Sequence, residues 1–207
     1  AWQVLRLILA WALDRGLVVK NPCEHGGKVY RGSRVDNVFT LDDVEAIRQK
    51  APPHISLAMM MGLYTGQRQG DLLRLQWNAY DGKNLTVLQS KSNSPKRDKR
   101  AKRVVIPIHQ TPLKPLLDAI PKRALTILTT EDGEPWKASK DGSFNGFQSS
   151  WKKAMKAAGV TGLTFGDLRG TCATWMAGNK ATHAEIKSIT GHSDVGNVLD
   201  RHYISTN

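Results

Sequence analysis

A chain of 207 residues is long enough to bury a full core, and its length suggests one domain with a fragment of a second. Thirty Lys and Arg against eighteen Asp and Glu leave a net charge of +12, which favours a polyanionic partner, nucleic acid foremost, over a merely soluble basic domain. Cys23 and Cys172 stand in no CxxC or Cys-His spacing, so they offer neither a zinc site nor a disulfide framework, and reduced thiols inside a cell are expected. No apolar run approaches the roughly 18 residues of a membrane-spanning helix, and the first residues lack signal-peptide order.

Val4, Leu5, Ile8, Leu9, Trp11, Ala12 and Leu13 follow helical spacing from the first residues, and Asp14-Arg15-Gly16 then Asn21-Pro22 stop the pattern. A chain that opens inside a helix is expected to be a piece of a longer protein. Residues 23–37 are rich in Gly, Lys and Arg without periodicity and read as a linker, with the compact domain expected over 38–207. Thr40 with Asp42 and Asp43 predicts a capped helix over 41–50, before Pro52-Pro53. The almost wholly apolar Ile55–Tyr64, with Met59, Met60 and Met61, predicts a helix buried on most sides.

Thr65-Gly66 turns the chain, and Arg68 opens a second helical stretch with Leu72, Leu73 and Leu75 on its apolar face. A guanidinium placed against a buried helix needs an anion, and two readings stand: an ion pair with Asp71, or a bound phosphate. Leu85–Gln89 and Val104–Ile108 predict a β-hairpin with a long basic tip, and a third strand is expected near Leu125–Leu128. Six of the eight residues from Lys96 to Arg103 are basic, namely Lys96, Arg97, Lys99, Arg100, Lys102 and Arg103. They suit either a solvated loop or a DNA backbone. Helices are predicted over Pro112–Ile120, over Phe144–Ala158, and from Arg169 through Met176, closed by Gly178-Asn179. Thr182 and Glu185 make a capping box for a further helix through Ile189, and Val195, Val198 and Leu199 support one more, presenting Tyr203.

Four short motifs in this order carry a resemblance: TGQRQGDLLRLQW, LTFGDLRGTCAT, ITGHS and LDRHY, with a basic hairpin between the first and second. They resemble the catalytic domain of tyrosine recombinases, the phage-integrase family, over about residues 38–204, while residues 1–22 look like the last helix of that family's core-binding domain. The resemblance implies a mixed, mainly helical α/β fold with a small antiparallel sheet. It implies that Arg68 and Arg169 clamp a scissile phosphate, that His192 donates a hydrogen bond to it, and that Tyr203 attacks phosphorus. Lys91 sits where the family places the lysine that protonates the leaving 5′ oxygen; Lys96, Lys99 and Lys102 are alternatives. Asp71 matches an acidic residue that braces the framework.

Forked, permanently charged guanidiniums suit phosphate oxygens and stabilise charge in a pentacoordinate transition state, so no metal is required. Exchange of a phosphodiester for a phosphotyrosine conserves bond energy, so no cofactor or ATP is expected, and no GxxxxGK[ST] loop occurs. Double-stranded DNA is the implied partner, with a tetramer on paired sites, in the cytoplasm at the bacterial nucleoid. One departure matters. The family's His-x-x-Arg histidine falls at Gly166, and loss of a general acid–base group costs about 10²–10⁴-fold in rate, so a slow enzyme is expected. Two rivals remain: a degenerate integrase that grips DNA without cutting, and a type IB topoisomerase that relaxes supercoils alone.

Overall fold

The computed structural model describes residues 2–24, 36–89, 102–122 and 124–191, and the chain divides into two units, Ala1–Ser33 and Arg34–Asn207. In the first unit, helix α1 (Trp2–Asp14) follows the expected spacing yet buries none of its residues. Trp2, Leu5, Ile8 and Trp11 are 40% to 56% exposed. Past the helix, the Asn21 side chain donates to the Arg6 carbonyl at 3.3 Å and accepts from the Cys23 amide at 2.9 Å, folding the tail back along α1.

The larger unit begins with a reciprocal cap. The Thr40 hydroxyl accepts from the Asp43 amide at 3.1 Å and the Asp43 carboxylate accepts from the Thr40 amide at 2.9 Å, which starts α2 (Leu41–Lys50). Helix α3 (Pro53–Thr65) opens with proline in its first turn, where a missing N–H costs nothing, and buries Ile55, Ala58, Met59, Met60 and Met61. Short α4 (Gln69–Leu73) and a 3₁₀ turn (Trp77–Ala79) lead into β1 (Asn84–Gln89). This strand pairs antiparallel with β2 (Lys102–Pro107), Val87 opposite Val104. Helices α5 (Leu113–Ala119), α6 (Asn145–Ala158), α7 (Asp167–Gly178) and α8 (His183–Thr190) complete the described elements.

The mainly helical fold with a small antiparallel sheet is as expected, but one element is not. Among the described residues the sheet has two strands, and 125–128 is not a third. That segment makes an isolated bridge, Gln76 to Thr126, with the Ile127 amide donating to Leu75 and the Trp77 amide to Leu125. The ladder stops there because its partner segment coils at once into the 3₁₀ turn.

Helix α7 lies against α3, and α6 against α2. The α3–α7 approach is close at Gly62, where a β-carbon would stand 2.8 Å from Leu168 Cδ1. Behind it, Phe147, Trp151 and Phe165 meet edge to face, with centroids 5.1 Å apart for both Phe147–Phe165 and Trp151–Phe165. These contacts fix the start of α7, and with it Arg169, against the end of α3.

Candidate phosphate-binding site

Helix α3 ends at Gly66, whose left-handed backbone (φ 61°) closes the helix through its N–H to the Gly62 carbonyl. The turn frees the Gly66 carbonyl to accept from Arg169 Nη1 at 2.8 Å. Arg169, one turn into α7, is only 8% exposed, while Arg68, the residue before α4, is exposed. The costly buried guanidinium foreseen at position 68 is therefore at 169. Asp71 is buried beside it.

The electrostatics follow from that packing. The Arg169 pKa is drawn down to about 10, first by burial and second by the like charge of Arg68, with Asp71 and Cys172 pulling it back up. Arg169 is still charged at neutral pH, so two cations stand close enough to repel each other. An anion there would relieve the repulsion and meet forked donors. The Cys172 thiol is pushed up to about 12 by burial, which keeps it protonated and removes it as a rival nucleophile. Both cysteines are free and buried.

Gly166 lies in the turn before α7. The Asp167 carboxylate accepts from the Thr164 amide at 2.6 Å and the Thr164 hydroxyl at 2.8 Å, which ties this turn down. The Gly166 backbone is helical (φ −62°, ψ −28°), and a β-carbon there would meet only Thr164 Oγ1, at 3.6 Å. Beside it opens a cavity of about 500 Å³ lined by Gln69, Trp151, Met155, Phe165 and Gly166 among others. A histidine at 166 would thus have both an allowed backbone and room.

The structure brings Arg68, Asp71 and Arg169 together and sets Gly166 three residues ahead of Arg169 on the same turn. Lys102 and Arg103 are exposed on the first residues of β2, opposite Gln89 and Leu88. Lys91, Lys96, Arg97, Lys99, Arg100, His192 and Tyr203 lie outside the described residues. Sequence reasoning missed two residues of the site's frame, Gln67 and Gln89, which are 2% and 3% exposed. A signal existed for one of them: Leu85, Val87 and Gln89 alternate with period two, so the glutamine shares the inward face of β1.

Gly66 supports the site through its backbone alone. A β-carbon there would lie 3.1 Å from both Cys172 Sγ and Thr190 Cγ2, at a φ that L-residues rarely adopt. Gly66→Ala is expected to cost about 1–3 kcal/mol. Chemical unfolding of both proteins measures this, and an unchanged midpoint would show that the turn relaxes freely.

Residues 37–207 match the sequence model described as Phage integrase family. A protein named as the phiRv2 prophage integrase of Mycobacterium tuberculosis is 27% identical over 215 residues, covering 96% of this chain and 56% of that protein. The chain therefore spans little more than half of that relative's length. A lambda integrase dimer bound to a COC′ core site superposes with TM-score 0.71 at 22% identity, over 94% of this chain and 71% of that one. A lambda integrase tetramer bound to a Holliday junction gives TM-score 0.68 at 21% identity, over 93% of this chain and 57% of that one.

Proposed function

Since the chain belongs to the phage integrase family, we propose that it is the catalytic part of a recombinase that cuts and rejoins DNA at specific sites, integrating or excising a mobile element. The observation that supports this reading is the nearness of exposed Arg68 to buried Arg169 at the Gly66 turn, two cations whose forked donors suit one phosphate. In the reaction, Tyr203 Oη loses its proton to water, attacks phosphorus and forms a 3′-phosphotyrosyl bond while the bond to the 5′ oxygen breaks. Lys91 protonates that leaving oxygen. Arg68 and Arg169 hold the non-bridging oxygens, His192 donates a further hydrogen bond, and Asp71 braces the arginines. A 5′-hydroxyl from another strand then attacks phosphorus and releases Tyr203, so no bond energy is lost and none need be supplied.

The basic residues Lys96, Arg97, Lys99, Arg100, Lys102 and Arg103 track the DNA backbone in this scheme. Residues 1–22 are read as the last helix of a core-binding domain and 23–37 as its linker to the catalytic domain. Double-stranded DNA is the partner, four copies act on two paired sites, and the protein works at the bacterial nucleoid. The lambda integrase structures on a core site and on a Holliday junction support the pairing of sites over supercoil relaxation by a single copy. The non-cleaving alternative draws its support from Gly166.

The test uses DNA from the ends of the mobile element, carrying a bridging phosphorothiolate that traps the covalent intermediate. An adduct whose mass maps to the peptide containing Tyr203 is the expected result. DNA bound without adduct would leave the binding module standing. Affinity is expected to fall about 10²-fold between about 50 and 200 mM salt if about four phosphates are neutralised. A titration that shows no salt dependence would remove the backbone-contact scheme.

A further inference from the structure

We propose that the buried amide pair Gln67–Gln89 is a positioning clamp that keeps the segments bearing the recombination residues in register; the proposal rests on the recombinase reading above. Gln89 Nε2 donates to Gln67 Oε1 at 2.6 Å and to the Thr190 carbonyl at 2.8 Å. Gln67 Nε2 donates to the Thr65 and Ile189 carbonyls, both at 2.7 Å. The pair thus ties together the turn after α3, the end of β1 and the end of α8, segments separated by up to 122 positions.

What these segments carry gives the clamp its meaning. Gln67 precedes Arg68, and the carbonyl of its other neighbour, Gly66, holds Arg169. Gln89 stands two residues before Lys91, and Gly191, next after Thr190, stands one before His192. The fit is close: Gly191 turns with φ 72°, and a β-carbon there would lie 2.1 Å from Gln89 Oε1. Burying two primary amides where leucines would pack is costly in dehydration, and what it secures is directional contact among three backbones. A hydrophobic pair could fill the space but could not fix the register. Small misplacements of groups around a reacting phosphate are expensive in rate, so the clamp acts on the chemical step through Arg68, Arg169, Lys91 and His192, without touching DNA.

Two variants separate a clamp from filler: Gln89→Asn, too short to span the gap, and the double substitution Gln67→Met with Gln89→Met, which leaves no lone amide. Each is compared with the unchanged chain for thermal melting, DNA affinity, rate of adduct formation at saturating DNA, and amide hydrogen exchange. The clamp predicts a cooperative melt, affinity within about threefold, and a rate lowered at least about tenfold. It also predicts faster exchange in residues 63–70 and 186–191 but not in α6. Folded variants with unchanged rate would overturn it, as would failure of both to fold, which would make the pair a determinant of the whole fold. If the unchanged chain forms no adduct, the recombinase reading is what fails, and exchange alone decides the clamp: unaltered protection in both segments overturns it.

Discussion

Arg169→Lys is expected to slow covalent attachment to DNA by about 10²–10³-fold at saturating DNA, the usual cost of removing one preorganised donor from a developing oxyanion. The buried site holds a planar fork, one arm of which is committed to the Gly66 carbonyl at 2.8 Å. An ammonium keeps the charge but cannot serve that carbonyl and two phosphate oxygens in one plane. Repulsion from Arg68 eases little, since the charge remains, so a rate loss in this variant reports geometry. Single-turnover adduct formation with the bridging phosphorothiolate measures it. A rate within threefold of the unchanged chain would show that Arg169 only joins α7 to the end of α3 and does not touch the phosphate. Arg169→Ala is a poorer test, because it strands the Gly66 carbonyl and costs about 1–3 kcal/mol of stability.

Gly166→His is expected to raise the rate of adduct formation by about 10²-fold or more, within the range supplied by a positioned acid–base group. The backbone at 166 is already helical, so the substitution stiffens the unfolded chain without straining the folded one, and stability should hold or rise by about 0.4–1 kcal/mol. Its β-carbon would touch only Thr164 Oγ1 at 3.6 Å. The imidazole would lie three residues before Arg169, beside the cavity that Gly166 and Gln69 both line. Gly166→Ala is the control that separates backbone stiffening from imidazole chemistry. Acceleration by histidine alone would establish the glycine as a handicap. No acceleration in a folded Gly166→His protein would mean that proton transfer does not limit the step, or that another group already carries it.

Both tests act on a site that was partly legible beforehand. Local signals marked the described helices well because each signal lies within a few residues, while the helix expected from Val195 to Tyr203 lies outside the described residues. Thr40 with Asp43 caps α2, Thr182 with Glu185 caps α8, and the apolar run of α3 has the composition of a buried helix. The hairpin was visible in the β-branched and aliphatic runs Leu85–Gln89 and Val104–Ile108, of which Leu85, Val87, Val104 and Ile106 are buried. A third strand was not to be had from such signals. Leu125–Leu128 has strand-like residues, yet pairing depends on what the opposite backbone does, and residues 77–79 coil away.

The motif order by itself determined the family and the mainly helical fold, and marked Arg68 and Arg169 as candidates, because residue types and their spacing are properties of the chain. Which arginine is buried was decided only by tertiary packing: α7 docks on α3, so Arg169 is enclosed while Arg68, at the turn, stays in solvent. The same packing lowered the Arg169 pKa to about 10, since desolvation and a neighbouring cation are effects of position in space. It also brought Gln67, Gln89 and Thr190 within hydrogen-bonding distance across separations of 22 and 101 residues. Such bonds leave no periodic trace in a sequence, because each partner looks locally like an ordinary polar residue until the fold removes the water around it.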